Sequence, residues 1–335
     1  MAVSITTMSL FNSSLGLLQR GVFGRRIERT ELVDDPVFVL GHWRSGTTLL
    51  HELLACDPQH GFADTYSCFA PNHFLLTERF LKPLIGFFLP RHRPMDNMGV
   101  GWSNPQEDEW ALCCLGARSP YFLILFPNRP LADPTYADLR DVPPADLDRW
   151  KQTLSWFLKA LTLRDGKRLV LKSPYHTCRV RTLQSMFPRA RFVHIVRNPY
   201  EVFASTMHTW RRMYRYQGLQ VPRFAGLEEH VLTTFTRMYE VFDEDVKSIG
   251  PGRFCELRYE DLIADPLTVM ESVYRQLDLG DFAPVRPRIE QRMAGTAGYQ
   301  TNQYVLPERE QRLVAQRWGD FFEKYGYHGS AGGGG

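Results

Sequence analysis

The chain has 335 residues, 44% hydrophobic and 23% charged, an ordinary globular balance that suits one large α/β domain or two small ones. Its 40 basic and 37 acidic residues leave a net charge of only +3, which excludes a dedicated nucleic-acid binder with a strong basic stripe but permits a local basic pocket for an anion. No stretch reaches the ~18 uncharged apolar residues needed to span a bilayer; the nearest, Phe80–Pro90, is broken by Lys82, Pro83 and Gly86.

Residues 1–26 lack a basic region followed by a long apolar core, so no signal peptide is expected. The six cysteines (56, 68, 113, 114, 178, 255) form no C-x-x-C pair and no run at zinc spacing. In a chain of this length that predicts reduced, mostly buried thiols and a cytoplasmic location. Residues 1–30 are expected to form an N-terminal amphipathic arm, and residues 31–328 a single domain. The tail 329–335, ending in four glycines, is expected to be flexible.

The first clear strand is Pro36–Gly41, a continuous apolar run of the kind buried on both faces of a parallel sheet. A helix from Thr47 carries Leu49, Leu50, Leu53 and Leu54 on one stripe and ends near Asp57-Pro58. Residues 60–150, rich in proline, asparagine and aromatics, are expected to form an acceptor-binding insertion or lid. The α/β pattern then resumes with a helix at 147–163, a strand at 168–172, a helix near 176–186 and a strand at 191–197. A helix opened by Asn198-Pro199 follows, then a long helix at 227–248, a strand at 253–259, and helices near Pro266 and Pro307. Alternating strands and helices predict an α/β fold: a P-loop-like parallel sheet flanked by helices.

Between the first strand and its helix lies Gly41-His42-Trp43-Arg44-Ser45-Gly46-Thr47-Thr48, the G-x-x-x-x-G-x-T frame of a phosphate loop. Glycines let backbone N–H groups curl around an anion, and the helix N-terminus adds partial positive charge. Where a nucleoside triphosphatase has lysine this loop has Thr47, so Arg44 supplies the positive charge. No strand ends in a free aspartate of the Walker-B kind; the later ones end in Lys172, Arg197 and Tyr259. A metal-assisted triphosphate site therefore fits poorly, and no metal is expected. A second anion site is suggested by Arg197, at the carboxyl end of its strand, and Ser205, two turns into the next helix.

The segments GHWRSGTTLLHELL, FVHIVRNPYEVFAS and RYEDLIADP together resemble the signatures of sulfotransferases that use 3′-phosphoadenosine 5′-phosphosulfate (PAPS), across about residues 36–278. The likeness is to the broad bacterial and Golgi-like branch, since arginine stands where the cytosolic phenol and steroid enzymes carry loop lysine and their late Arg-Lys-Gly segment is absent. It implies that Arg44, Ser45, Gly46, Thr47 and Thr48 grip the 5′-phosphosulfate and that Arg197 and Ser205 grip the 3′-phosphate. It places Tyr259 near the nucleotide and leaves Thr301, Asn302 or Gln303 as a third anchor. Lys172 matches in position a lysine that stabilises the transferring group, while Arg44 stabilises the departing phosphate.

Sulfuryl transfer also needs a base for the acceptor's proton. His176 is the first candidate, with an unperturbed pKa of ~6.5 suited to neutral pH. Among the acids Glu107-Asp108-Glu109, beside Trp110, Glu109 is the second. Asp64, near the distance from the loop at which tyrosylprotein sulfotransferases carry a glutamate base, is the third. The aromatics of residues 62–126 suggest a small lipophilic alcohol as acceptor, and Arg91-His92-Arg93 suggests a contact with an acidic acceptor or lipid head group. The rival readings are a metal-dependent small-molecule kinase and a non-catalytic nucleotide-binding module.

Overall fold

A computed structural model describes residues 2–85, 101–129, 135–295 and 304–327. The chain opens with helix α1 (Ala2–Arg29), then β1 (Val37–Leu40), α2 (Thr47–Leu54), β2 (His60–Phe62), α3 (Thr65–Phe69) and α4 (Phe74–Ile85). Short helices α5 (Asp108–Cys114), α6 (Phe122–Leu125) and α7 (Thr135–Asp138) precede the long α8 (Pro144–Asp165). Then come β3 (Arg168–Lys172), a 3₁₀ turn (Pro174–Cys178), α9 (Val180–Met186), β4 (Arg191–Val196), α10 (Pro199–Gln217) and α11 (Leu227–Asp245). Strand β5 (Phe254–Arg258) is followed by α12 (Tyr259–Ala264), α13 (Pro266–Leu277), α14 (Arg286–Ala294), α15 (Glu308–Arg317) and α16 (Gly319–Tyr325).

The five strands form one sheet in the order β2-β3-β1-β4-β5, with every neighbouring pair parallel. This is the expected parallel sheet. Central β1 is buried at every position because strands and helices cover it on all sides. Side-chain alternation sends Phe38 and Leu40 into one core, with Trp150, Leu154, Phe203 and Phe242 of α8, α10 and α11. Val37 and Val39 point the other way, into a second core with Leu50, Leu53, Met270, Tyr274 and Ile289 of α2, α13 and α14.

The stretch 60–150 begins by joining the sheet: His60–Phe62 pairs with Arg168–Val170 as edge strand β2. Three residues centred on a glycine are too few to carry a readable period. The expected helix at 176–186 is a 3₁₀ turn followed by a separate α-helix, with Arg179 as the break. Register lays Val39 beside Lys172 and Leu40 beside His194. The loop after β1, Lys172 and the β4–α10 turn therefore meet at the carboxyl edge of the sheet, where open α/β sheets bind ligands.

Candidate active site

The loop 41–48 is built by backbone conformations that ordinary residues avoid. Gly41 has φ +143° and a Cβ there would lie 2.7 Å from the Ile195 carbonyl oxygen; Gly46 has φ +102° and a Cβ there would collide with the Tyr259 ring. Arg44, which is not glycine, also has a positive φ of 68°. Such strain costs on the order of 1–3 kcal/mol and persists only where the surroundings over-determine it. Here they do. Thr177 Oγ1 accepts from Gly41 N at 2.8 Å, Ser45 Oγ donates to the His42 carbonyl at 2.7 Å, and Arg197 Nη1 donates to the Arg44 carbonyl at 3.2 Å.

These bonds aim the start of α2 at the edge of the sheet. Its N-cap is Gly46 and no side chain caps it, so the N-terminal partial charge faces the loop. Arg44 Nε donates to Ser205 Oγ on α10 at 2.8 Å. Arg197 stacks over the Tyr259 ring at 4.2 Å and is also held by Glu201, whose Oε2 lies 2.8 Å from its Nε. Arg44, Ser45, Gly46, Thr47, Arg197, Ser205 and Tyr259 are thus one contiguous cluster, not two separate patches.

On the other side of the loop a polar ring closes. Lys172 Nζ donates to Glu107 Oε1 at 2.7 Å and reaches Thr48 Oγ1 at 3.5 Å. The second Glu107 oxygen accepts from the Tyr121 hydroxyl, which in turn accepts from Trp43 Nε1 at 3.1 Å. Burial, reinforced by the Glu107 charge, pushes the Tyr121 phenol well above its ordinary pKa, so it remains a proton donor to that carboxylate. Glu107 stands at the N-cap of α5 with its side chain 16% exposed, against 3% for Lys172.

The next two acids turn inward. Asp108 Oδ2 lies 2.8 Å from His176 Nε2, with both side chains fully buried and the imidazole edge-on to Phe38. Glu109 pairs with Arg179 at 2.6 Å, accepts also from the Ser119 hydroxyl, and is likewise fully buried. The Arg179 guanidinium is sandwiched between the rings of Trp150 and Tyr175. Three consecutive acids therefore dock, one each, onto Lys172 at the end of β3 and onto His176 and Arg179 in the turn that follows it. Beneath them, burial and the nearby Lys172 charge drive the His51 pKa down to about 3.

Asp64 is the N-cap of α3, accepting from Ser67 N at 2.8 Å, and is bridged by Lys82 at 2.7 Å and Arg164 at 3.3 Å. Burial raises its pKa, but Arg164, Lys82 and the Ser67 bonds outweigh this and hold it below the usual value. It lies on the β2 side of the molecule, lining a cleft of about 420 Å³ with His60, Glu78 and Arg164. Of the sequence candidates for a base, His176 and Glu109 are sealed in buried pairs and Asp64 caps a helix. The acid of the run that reaches the loop, through Lys172, is Glu107, whereas the sequence ranks Glu109 first within that run. A signal existed: Glu107 follows Asn104-Pro105 and precedes the helix, a position that leaves an acid outside the helical turn. Thr301, Asn302, Gln303 and the Arg91-His92-Arg93 run lie outside the described residues.

A parallel α/β sheet with a glycine-framed loop after its central strand, and arginines converging on that loop, defines an α/β fold of the phosphate-loop kind. The chain belongs to the sulfotransferase family, whose model matches residues 36–284, and is a sulfotransferase. It is 46% identical over 326 residues to omega-hydroxy-beta-dihydromenaquinone-9 sulfotransferase Stf3 of Mycobacterium bovis, an alignment covering 97% of this chain and 84% of the relative. The Stf3 protein of Mycobacterium tuberculosis matches to the same extent. Among solved structures, sulfotransferase STF9 of Mycobacterium avium superposes with a TM-score of 0.70 at 18% identity, covering 90% of this chain and 79% of that one. Sulfotransferase STF1 of M. tuberculosis gives 0.66 at 22% identity, covering 91% and 81%. At those identities the structural likeness speaks for the fold.

Proposed function

We propose that this sulfotransferase moves a sulfuryl group from PAPS to the terminal hydroxyl of a lipophilic, menaquinone-type alcohol, with Glu107 as the base. The observation that carries the reading is the Glu107–Lys172 pair standing against Thr48 of the anion loop. The uncapped start of α2, Arg44, Arg197 and Ser205 suit a donor with two anionic groups, and Tyr259 offers a ring face beside Arg197. Ser45, Thr47 and Thr48 would supply loop donors to the phosphosulfate.

In this reading Glu107 accepts the proton of the acceptor hydroxyl as its oxygen forms the new S–O bond. Lys172 balances charge on the sulfonate oxygens, and Arg44 balances the negative charge that gathers on the phosphate as the old S–O bond breaks. The by-product is 3′-phosphoadenosine 5′-phosphate. Tyr121 orients Glu107 through its second oxygen. The lipophilic acceptor is favoured by the omega-hydroxy-beta-dihydromenaquinone-9 for which the relative is named and by the aromatic surface around the pair, where Trp110 stacks with Phe69 and lies tilted against Tyr121.

The test is transfer of label from sulfur-labelled PAPS to an ω-hydroxylated prenyl quinone and to a short-chain alcohol, each with and without chelator. Chelator-resistant labelling of the prenyl quinone, well above the short alcohol, is expected. ATP consumption in place of label transfer would reject the donor, and equal labelling of both acceptors would reject the acceptor class.

A further inference from the structure

Helix α1 is inverted with respect to water. The side it turns to the protein is polar over much of its length: Asn12 Oδ1 meets His73 Nε2 at 3.2 Å, and buried Gln19 accepts from Leu76 N at 3.3 Å. Gly16 sits so close to Asn72 that a Cβ there would be 3.2 Å from the asparagine Cβ. Its outward side carries the large apolar residues, with Ser14 and Gly21 between them. Leu10, Phe11, Leu17, Leu18 and Val22 fall on one arc at helical spacing, opposite Gly16, Gln19 and Ile27, and Leu10 and Leu17 are 66% and 71% exposed.

Adding Met8 at the edge of that arc, α1 supplies six of the sixteen large exposed apolar residues among the described residues. That concentration separates it from the scattered exposed leucines of an ordinary surface. Exposed Phe80 and Leu84 lie on α4, the helix that α1 packs against.

Charge decides what covers this face. No acidic residue occurs before Glu28, while Arg20, Arg25, Arg26 and Arg29 are all exposed, and Arg25 and Arg29 continue the apolar arc toward the helix C-terminus. A second copy seated here would bring four more arginines against the first four, with little carboxylate to answer them. An anionic surface answers all of them. Among the described residues no helix is long and apolar enough to cross a membrane, which leaves docking in the plane of the interface.

We propose that the outer face of α1 docks onto an anionic lipid bilayer, with Leu10, Phe11, Leu17, Leu18 and Val22 entering the head-group region and Arg25 and Arg29 meeting lipid phosphates. The docking goes beyond the transfer reaction and stands whether or not the acceptor is a lipid.

The full chain is sedimented with vesicles of phosphatidylcholine alone and of phosphatidylcholine with phosphatidylglycerol, across a salt series. Binding to the phosphatidylglycerol vesicles is expected, weakening with salt, with little binding to phosphatidylcholine alone. Leu17→Ser/Leu18→Ser and Arg25→Glu/Arg29→Glu should each weaken it at least about tenfold. The altered side chains are exposed, so the urea midpoint and transfer to a water-soluble acceptor should stay unchanged, which separates this outcome from misfolding. Absence of binding to phosphatidylglycerol vesicles, or binding insensitive to both double variants, overturns the proposal. A dimer in solution that Leu17→Ser/Leu18→Ser dissociates, without vesicle binding, would assign the face to a second copy instead.

Discussion

Glu107 pairs with Lys172 at the end of β3 and Glu109 with Arg179 just beyond it, yet one pair touches the loop 41–48 and the other is sealed in the core. Lys172–Glu107 keeps partial access to solvent and touches Thr48. Arg179–Glu109 has no exposed atoms to offer, and two aromatic rings flank its guanidinium. The difference teaches that a short acid run need not act as one unit. Asp108 and Glu109 anchor α5 to the protein, and that anchoring holds Glu107 against Lys172.

The sharpest way to break the contrast is Glu107→Gln. Sulfuryl transfer per folded molecule should fall by about 10²–10⁴-fold, the usual worth of a positioned base; the amide oxygen can still accept from Lys172 but the amide nitrogen cannot accept from Tyr121, so the folded fraction is read separately by urea unfolding. Full activity in this variant would remove Glu107 from the chemistry. Arg179→Met is the mirror experiment. It leaves the Glu109 charge buried without its cation and should cost about 3–5 kcal/mol of stability, read by urea unfolding, with kcat per folded molecule near wild type. A loss of kcat without loss of stability would mean that the sealed pair takes part in transfer.

A smaller effect is expected of Arg197→Ala, which removes one charge-assisted contact. Donor affinity, measured by calorimetry with 3′-phosphoadenosine 5′-phosphate, should weaken by about 1.5–3 kcal/mol with stability little altered. Unchanged affinity would uncouple Arg197 from the donor site.

The gentlest probe is pH. His42 and His51 are both held near a pKa of about 3 by burial, far below the value of ~6.5 they regain on unfolding. The unfolded chain therefore binds more protons between those limits. Their contribution to stability is present above about pH 6.5 and is lost progressively as the pH falls toward 3. Each histidine contributes a slope of about 1.4 kcal/mol per pH unit. The urea midpoint should fall from neutral to mildly acidic pH, and His51→Gln should make that fall shallower; an identical slope would place His51 outside the linkage.

Much of the sheet was legible in the chain. Val37–Leu40 and residues 169–171 and 192–196 are short apolar runs, the last interrupted by His194, and are punctuated by Gly41, Gly166 and Pro199, so the pattern suffices for such segments. The loop 41–48 was legible because its glycines stand where the backbone needs positive φ. The choice among three adjacent acids was not, because it depends on Lys172, sixty-five positions downstream of Glu107, and on which side of α5 reaches it. Asp64 carried a local clue to a structural role in Ser67, three residues on, the spacing of a capping box. The inverted burial of α1 could not be read from composition, since its leucines and its glutamine suit either side until a neighbour is present.

The tyrosine ring at position 259 touches both halves of the anion cluster, lying under the Arg197 guanidinium and filling the space a side chain at position 46 would need. It works as a spacer between two loops that arrive from different strands. Transplanting residues 41–48 into another α/β scaffold would therefore carry over the curl of the backbone but not its distance from the second arginine. The portable unit is the octapeptide together with that ring.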